Sequence, residues 1–322
     1  MNRALEKLLN DRRIALGVLI VIAVIAMSLM SPYFLKVGNL LSLLQYSAVV
    51  GILALGQTLV ILGGGGGIDL SIGATMSLTS VIYGSVAVKL GWSPWIAVVV
   101  AIGAGALLGA FNGILITRLK LPPLIVTLGT QYLFASAALV ISGGVDISGF
   151  DRQGFRVLGQ TSVAGIPFQV LVILIPLYIA VGLVMSRTIF GRNVYAVGSN
   201  AVASNLSGVD VVGTRVRLYM ISGMTAAVGA VISASWLLNA KAAVGTGMEL
   251  QAITIAVLGG TAITGGIGRV SGTFLALILV AILNNGMQLA DVGNTYQIGL
   301  LGVVLVISML VRPKSSVPTE AI

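Results

Sequence analysis

Two carboxylates stand where carboxylates are costly. Asp69 closes the run GGGGGIDL, and Glu249 precedes another long apolar stretch. An acid inside an apolar span is a candidate for direct work on a solute or ion. A simpler role is structural: Asp69 lies just before Ser71, so its oxygens can accept the free N–H groups of a helix starting there. Glu249 has the same two readings. A second set is neutral. Asn284, Asn285, Gln288 and Gln297, with Tyr296, fall near the outer half of the last two apolar runs. These groups could line a polar passage or tie helices together by hydrogen bonds. The chain contains no cysteine and no histidine, which excludes disulfides, zinc sites and imidazole relays and leaves carboxylates to carry any proton.

A third feature is the polar stretch RTIFGRNVYAVGSNAVASNLSGVDVVGTRVR, residues 187–217. Arg187, Arg192, Arg215 and Arg217 flank it against a single acid, Asp210. Ser199 or Asn200 can cap a short helix over AVASNLS, and Gly208 can stop it in a left-handed turn. Val202 and Leu206, four apart, share one face of that helix. A short helix with an apolar face and basic shoulders suits a partner's groove; an ordinary solvated loop is the alternative.

The elements that position these residues follow from composition. Of 322 residues, 57% are hydrophobic and 8% charged, against roughly 25% charged in soluble domains. The chain is therefore an integral membrane protein. Its 42 glycines amid apolar runs point to closely packed helices, and no strand rhythm of a β-barrel occurs. The net charge of +9 follows membrane topology rather than a nucleic-acid footprint. Apolar runs place spans at 14–30, 40–62, 71–88, 94–117, 123–141, 167–185, 218–238, 250–263, 270–290 and 295–311. A longer polar loop over 142–166 separates the fifth from the sixth. The eighth reaches the length of a span, about twenty residues, only with broken or re-entrant backbone.

With both termini inside, Arg3, Lys7, Arg12, Arg13, Arg118, Lys120, the four loop arginines, Arg269, Arg312 and Lys314 face the cytoplasm. Lys36, Lys89, Arg152, Arg156 and Lys241 face outward, a bias of the expected sign. Trp92, Trp95 and Trp236 fall near outer span ends, where indole rings favour the interface. The expectation is an all-α membrane protein of about ten transmembrane helices, residues 1–322 forming one domain with a cytoplasmic loop at 187–217.

Two glycine-rich breaks interrupt it, LGQTLVILGGGGGIDLSIG (55–73) and LGGTAITGGIGRVSGT (258–273). Both open L-G-x-T, and each half later carries an Asn-Gly, at Asn112 and Asn285, a hint of internal duplication. The five consecutive glycines at 63–67, Gly65 and Gly67 among them, cannot stay helical in hydrocarbon unless protein surrounds them. A buried hinge or close helix crossing is expected.

The set GIDLSIG (67–73), TIFGRNVYAVGSNAVASNLSGV (188–209), GMELQAITIAVLGGTAITGGIGRVSGT (247–273) and LNNGMQLADVGNTYQ (283–297) resembles the permease subunit of bacterial ABC importers for monosaccharides, the ribose, xylose, rhamnose and autoinducer-2 class. Gln251 stands where that family commonly has aspartate, and Ser199 where it has glycine. The resemblance implies that the loop carries a coupling helix seated on a separate ATPase subunit, so that Arg192, Asn200, Val202, Leu206, Gly208 and Arg215 belong to that contact. It also implies a second permease copy or related chain and an extracytoplasmic sugar-binding protein. ATP and Mg would sit on the ATPase, with no cofactor on this chain. No G-x-x-x-x-G-K-[ST] occurs in the sequence. Transport by alternating access in the bacterial inner membrane follows, with Gly65, Gly67, Asp69, Ser71, Glu249, Gln251 and the amide set along the hinge and path. A secondary transporter driven by an ion gradient is the rival. It needs intramembrane acids, and Asp69 and Glu249 are the candidates.

Overall fold

The computed structural model describes residues 12–150 and 153–293, with 296, 297, 299, 302 and 303. Helices dominate it: α1 (Arg12–Met30), α2 (Val37–Leu62), α3 (Ile72–Gly84), α4 (Pro94–Thr117) and α5 (Pro123–Ser142). The short α6 (Val157–Gln160) and a hairpin of β1 (Ser162–Val163) and β2 (Ile166–Pro167) follow. Then come α7 (Ile175–Arg187), α8 (Ile189–Ser199), α9 (Ala201–Leu206), α10 (Val211–Leu237), α11 (Met248–Leu258) and α12 (Val270–Leu289). Proline at the first helical position starts α4 and α5, where its missing N–H and fixed φ cost nothing.

Among the described residues seven helical segments are long and apolar enough to cross a membrane. The expected third and eighth spans differ. The third is α3 prolonged by a π-helical turn, Ser85–Lys89. The eighth is α11, 11 residues long, or about 17 Å, so it reaches only about half of a ~30 Å hydrocarbon layer. The backbone breaks after it at Gly259 and Gly260, as the glycines there require. Most of the expected tenth span, with Arg312 and Lys314, lies outside the described residues, as do Arg3, Lys7 and Arg152.

The core is built on α2, whose residues from Ser47 to Leu62 are all buried, and on α10. Helix α4 crosses α10 through Gly105, Gly109 and Gly113: a side chain on any of them would strike the α10 backbone near Gly223, Tyr219 or Val216. Such spacing lets helix backbones touch. In contrast α1, α4, α5 and α7 turn large apolar side chains outward, among them Leu29, Leu107, Val140 and Ile179. That is the surface a lipid solvent calls for.

The expected polar loop over 142–166 is partly a folded cap. Phe150 and Phe155 stack edge-on at 4.8 Å between ring centres and bury against Tyr83. A β-bridge joins Ile147 to Ala240.

Candidate functional site

The two acids converge on the start of α3. Asp69 is 2% exposed. Its Oδ1 accepts from the Ser71 N–H (3.0 Å) and the Ser71 hydroxyl (2.6 Å), and its Oδ2 accepts from Ser222 of α10 (2.8 Å). Asn112 of α4 donates to the Ser71 hydroxyl at 2.8 Å. Gln57 of α2, with its amide turned to match donors with acceptors, brackets the Asp69 backbone at 3.1 and 3.2 Å. The carboxylate itself thus joins the start of α3 to α10, while Asn112 adds α4 through Ser71 and Gln57 adds α2 through the Asp69 backbone. The expected cap takes a different form: Ser71 is the residue next to α3 and makes no side-chain cap bond, and Asp69 holds Ser71 rather than a free N–H of the helix. Buried Glu249, in the first turn of α11, lies against Gly73 on the other side and meets Gln131 at 3.5 Å. Gln57, Asn112 and Ser222 escaped the sequence reading as partners, although Gln57 lies in L-G-x-T and Asn112 in the Asn-Gly pair.

Asparagine keeps an acceptor for Ser71 and offers its NH2 to a turned Ser222 hydroxyl. Asp69→Asn should therefore cost about 1 kcal/mol, while Asp69→Ala strands donors at about 1–3 kcal/mol each. Thermal unfolding of the detergent-solubilised protein checks this, with uptake alongside. A large loss of uptake in a stably folded Asp69→Asn would give the charge a direct role.

The two glycine breaks meet. Gly63 ends α2, and Gly64, Gly65 and Gly66 run on with φ near +70° (68, 68 and 70°). Gly64 packs on Gly265 and on Gly198, at the end of α8, and the Gly266 N–H donates to the Leu62 carbonyl at 3.0 Å. The Tyr195 hydroxyl of α8 donates to the Gly268 carbonyl at 3.0 Å. The expected buried hinge is half right: Gly64 and Gly67 are buried, but Gly65 and Gly66 are exposed.

The loop at 187–217 is more helical than expected. Helix α7 ends at Arg187, α8 starts at Ile189, and α10 begins at Val211 rather than Leu218, so Arg215 and Arg217 lie on a helix. Asn200 caps α9 by accepting from the Ala203 N–H (2.9 Å), and Gly208 follows it with φ +82°. Val202 and Leu206 are 71% and 84% exposed. Arg192 is exposed too. Arg215, expected beside them at the rim of the contact, turns inward instead: its Nε donates to the Gly63 carbonyl at 3.2 Å and its guanidinium lies on Gly65.

The amides include one helix tie and a set of cavity-lining side chains. Asn285 exchanges two hydrogen bonds with Asn39, at 2.8 and 2.9 Å, tying α12 to α2. Gln251, Asn284, Asn285, Gln288 and Gln297 line one cavity of about 290 Å³ with Ser42, Tyr46 and Trp236. Tyr46 donates to Gln251 at 3.3 Å, and the Asn284 carbonyl oxygen is buried without a partner. Tyr296 lies exposed outside this lining. Among the described residues no charged side chain lines the cavity, and Asp69 and Glu249 are absent from it. Trp236, read as an interface residue, faces it.

Apolar side chains turned outward around a core with broken helices define a multi-pass α-helical membrane protein. Residues 39–309 match the family described as branched-chain amino acid transport system / permease component. The chain is 37% identical over 296 residues to the ribose import permease protein RbsC of Bacillus subtilis, covering 92% of this chain and 91% of that one. It is 33% identical over 309 residues to RbsC of Escherichia coli K12 (95% and 94% covered). It is also 34% identical over 307 residues to the autoinducer 2 import system permease protein LsrD of Salmonella typhimurium (94% and 91%). No solved structure matches. The chain belongs to this family of ABC importer permeases and resides in the bacterial inner membrane.

Proposed function

We propose that the chain carries a monosaccharide or similar small neutral polyol, delivered by an extracytoplasmic binding protein and driven by a separate ATPase subunit. The observation that carries this reading is relatedness to ribose import permeases over more than nine-tenths of the chain, 92% and 95% in two cases. The uncharged amide-lined cavity supports it, since hydroxyl groups can exchange hydrogen bonds there without a counter-ion. An ion-driven carrier would want its acids on that path, and neither Asp69 nor Glu249 is among the cavity's lining residues.

Residues 187–217 serve as the coupling loop of a single transmembrane domain, with α9 seated on the ATPase. A second permease, a copy or a related chain, completes the path. Closure of the ATPases pushes α9; the motion passes through α8 and the start of α10 to the glycine junction, and the halves rock about the cavity. Ten spans with both termini inside fit this arrangement. Because the chain has no cysteine, Gln153→Cys should react with an impermeant thiol reagent from outside and Asn200→Cys should not. The reverse pattern would overturn the topology.

The function is tested in proteoliposomes holding the chain, its ATPase and its binding protein. Uptake of labelled ribose should stop with vanadate and persist with a protonophore when ATP is buffered. The opposite response would favour the ion-driven carrier. ATP-dependent uptake of a different sugar would correct the substrate alone.

A further inference from the structure

Beside the glycine junction lies an open cavity of about 360 Å³, between the α4–α5 connection and the start of α10. Lys120, Leu121, Pro123, Val212 and Arg215 are among its lining residues. A water-sized cavity of about 10 Å³ shares Gly65, Pro123 and Arg215 with it and is lined also by Tyr219. Tyr219 is 3% exposed, and its hydroxyl has no hydrogen-bond partner.

Among the described residues no carboxylate lines either cavity. The nearby acids are engaged elsewhere, Asp210 on the Gly213 N–H at 2.8 Å and Asp69 on Ser71 and Ser222. Among the described residues no acid pairs with Arg215 or Lys120. The half-buried Arg215 guanidinium, with one carbonyl partner, is shared by both cavities, with Lys120 beside it in the larger and the unpartnered Tyr219 phenol in the smaller. A forked guanidinium matches phosphate oxygens.

We infer that this cleft binds a phosphoryl group, supplied by an anionic phospholipid of the inner leaflet. The lipid source is favoured by the apolar surroundings: Leu121 and Val212 in the lining and Leu124 and Ile125 on the adjoining turn of α5 are all exposed. An acyl chain can lie along them, whereas a soluble phosphate has no use for them. The leaflet rests on the topology proposed above; the anion site does not. Through Arg215 an occupied cleft bears directly on Gly63 and Gly65, so lipid composition would act on the junction.

The test is native mass spectrometry of the full chain released from phosphatidylglycerol-containing nanodiscs, a measurement that needs no transport. Phosphatidylglycerol should be retained. Lys120→Gln should retain it roughly fivefold less well, the contribution of one cation near an anionic surface, and Lys120→Arg should restore it. Lys120 has φ +55°, so Lys120→Gly removes the charge while suiting the backbone and should match Lys120→Gln. Binding of inorganic phosphate with the same Lys120 dependence, in phosphatidylcholine alone, would support the anion site but assign it to a soluble phosphate compound. Retention indifferent to Lys120, with no phosphate binding, would overturn the inference.

Discussion

Replacing Leu206 by Asp is expected to stop sugar uptake and release the ATPase while leaving the permease folded and inserted. Leu206 and Val202 stand 84% and 71% exposed on α9, so neither holds the permease together. Burying two such side chains in a partner's groove is worth roughly 1.5–3 kcal/mol each. A rim ion pair from Arg192 adds about 0–1 kcal/mol. The apolar pair should therefore dominate, and losing Leu206 alone weakens docking by roughly one to two orders of magnitude. Asp adds an unpaired carboxylate to that groove. Copurification of the ATPase with tagged permease reads the docking, labelled sugar reads the transport, and Arg192→Ala should disturb both less. If Leu206→Asp leaves assembly and uptake intact, the docking surface lies elsewhere.

The parts of this fold legible in the sequence are those that local chemistry decides. Pro94 and Pro123 mark helix starts that the structure keeps, and Asn200 and Gly208 bound α9 because a capping side chain and a left-handed glycine act within a few residues. Where tertiary contacts decide, the sequence misleads. The segment VVGTRVR reads as loop, yet α10 starts at Val211 and carries it into the bundle, burying Thr214. Phe150 and Phe155 sit in a glycine-rich polar stretch, and only packing on Tyr83 makes a cap of it. Arg215 looks like a surface cation because nothing nearby in sequence reveals the Gly63 carbonyl it meets. For the same reason the amide set could be located, but Ser42 and Tyr46, across the cavity on α2, could not.

The last expected result concerns two neighbouring glycines with nearly the same backbone and different surroundings. Gly64 and Gly66 have φ of +68° and +70°. Alanine at either pays the left-handed penalty of about 1–2 kcal/mol. At Gly66 the added methyl meets nothing within 4 Å. At Gly64 it would lie 2.6 Å from the Gly198 carbonyl oxygen and 2.8 Å from the Gly198 Cα. Backbone cannot yield as a side-chain tip does, because Gly198 is itself pressed against Leu62 and Gly266. Overpacking of that kind adds about 1–3 kcal/mol, and here the strain falls where the end of α8 meets both breaks. Gly66→Ala should thus lower the unfolding temperature slightly and leave sugar moved per ATP hydrolysed unchanged. Gly64→Ala should unfold earlier and hydrolyse ATP with little sugar moved, since the ATPase still docks on α9 while the junction no longer closes. Equal behaviour of the two variants would mean that the left-handed backbone alone matters there, and that the contact between α8 and the glycine breaks does not transmit the motion.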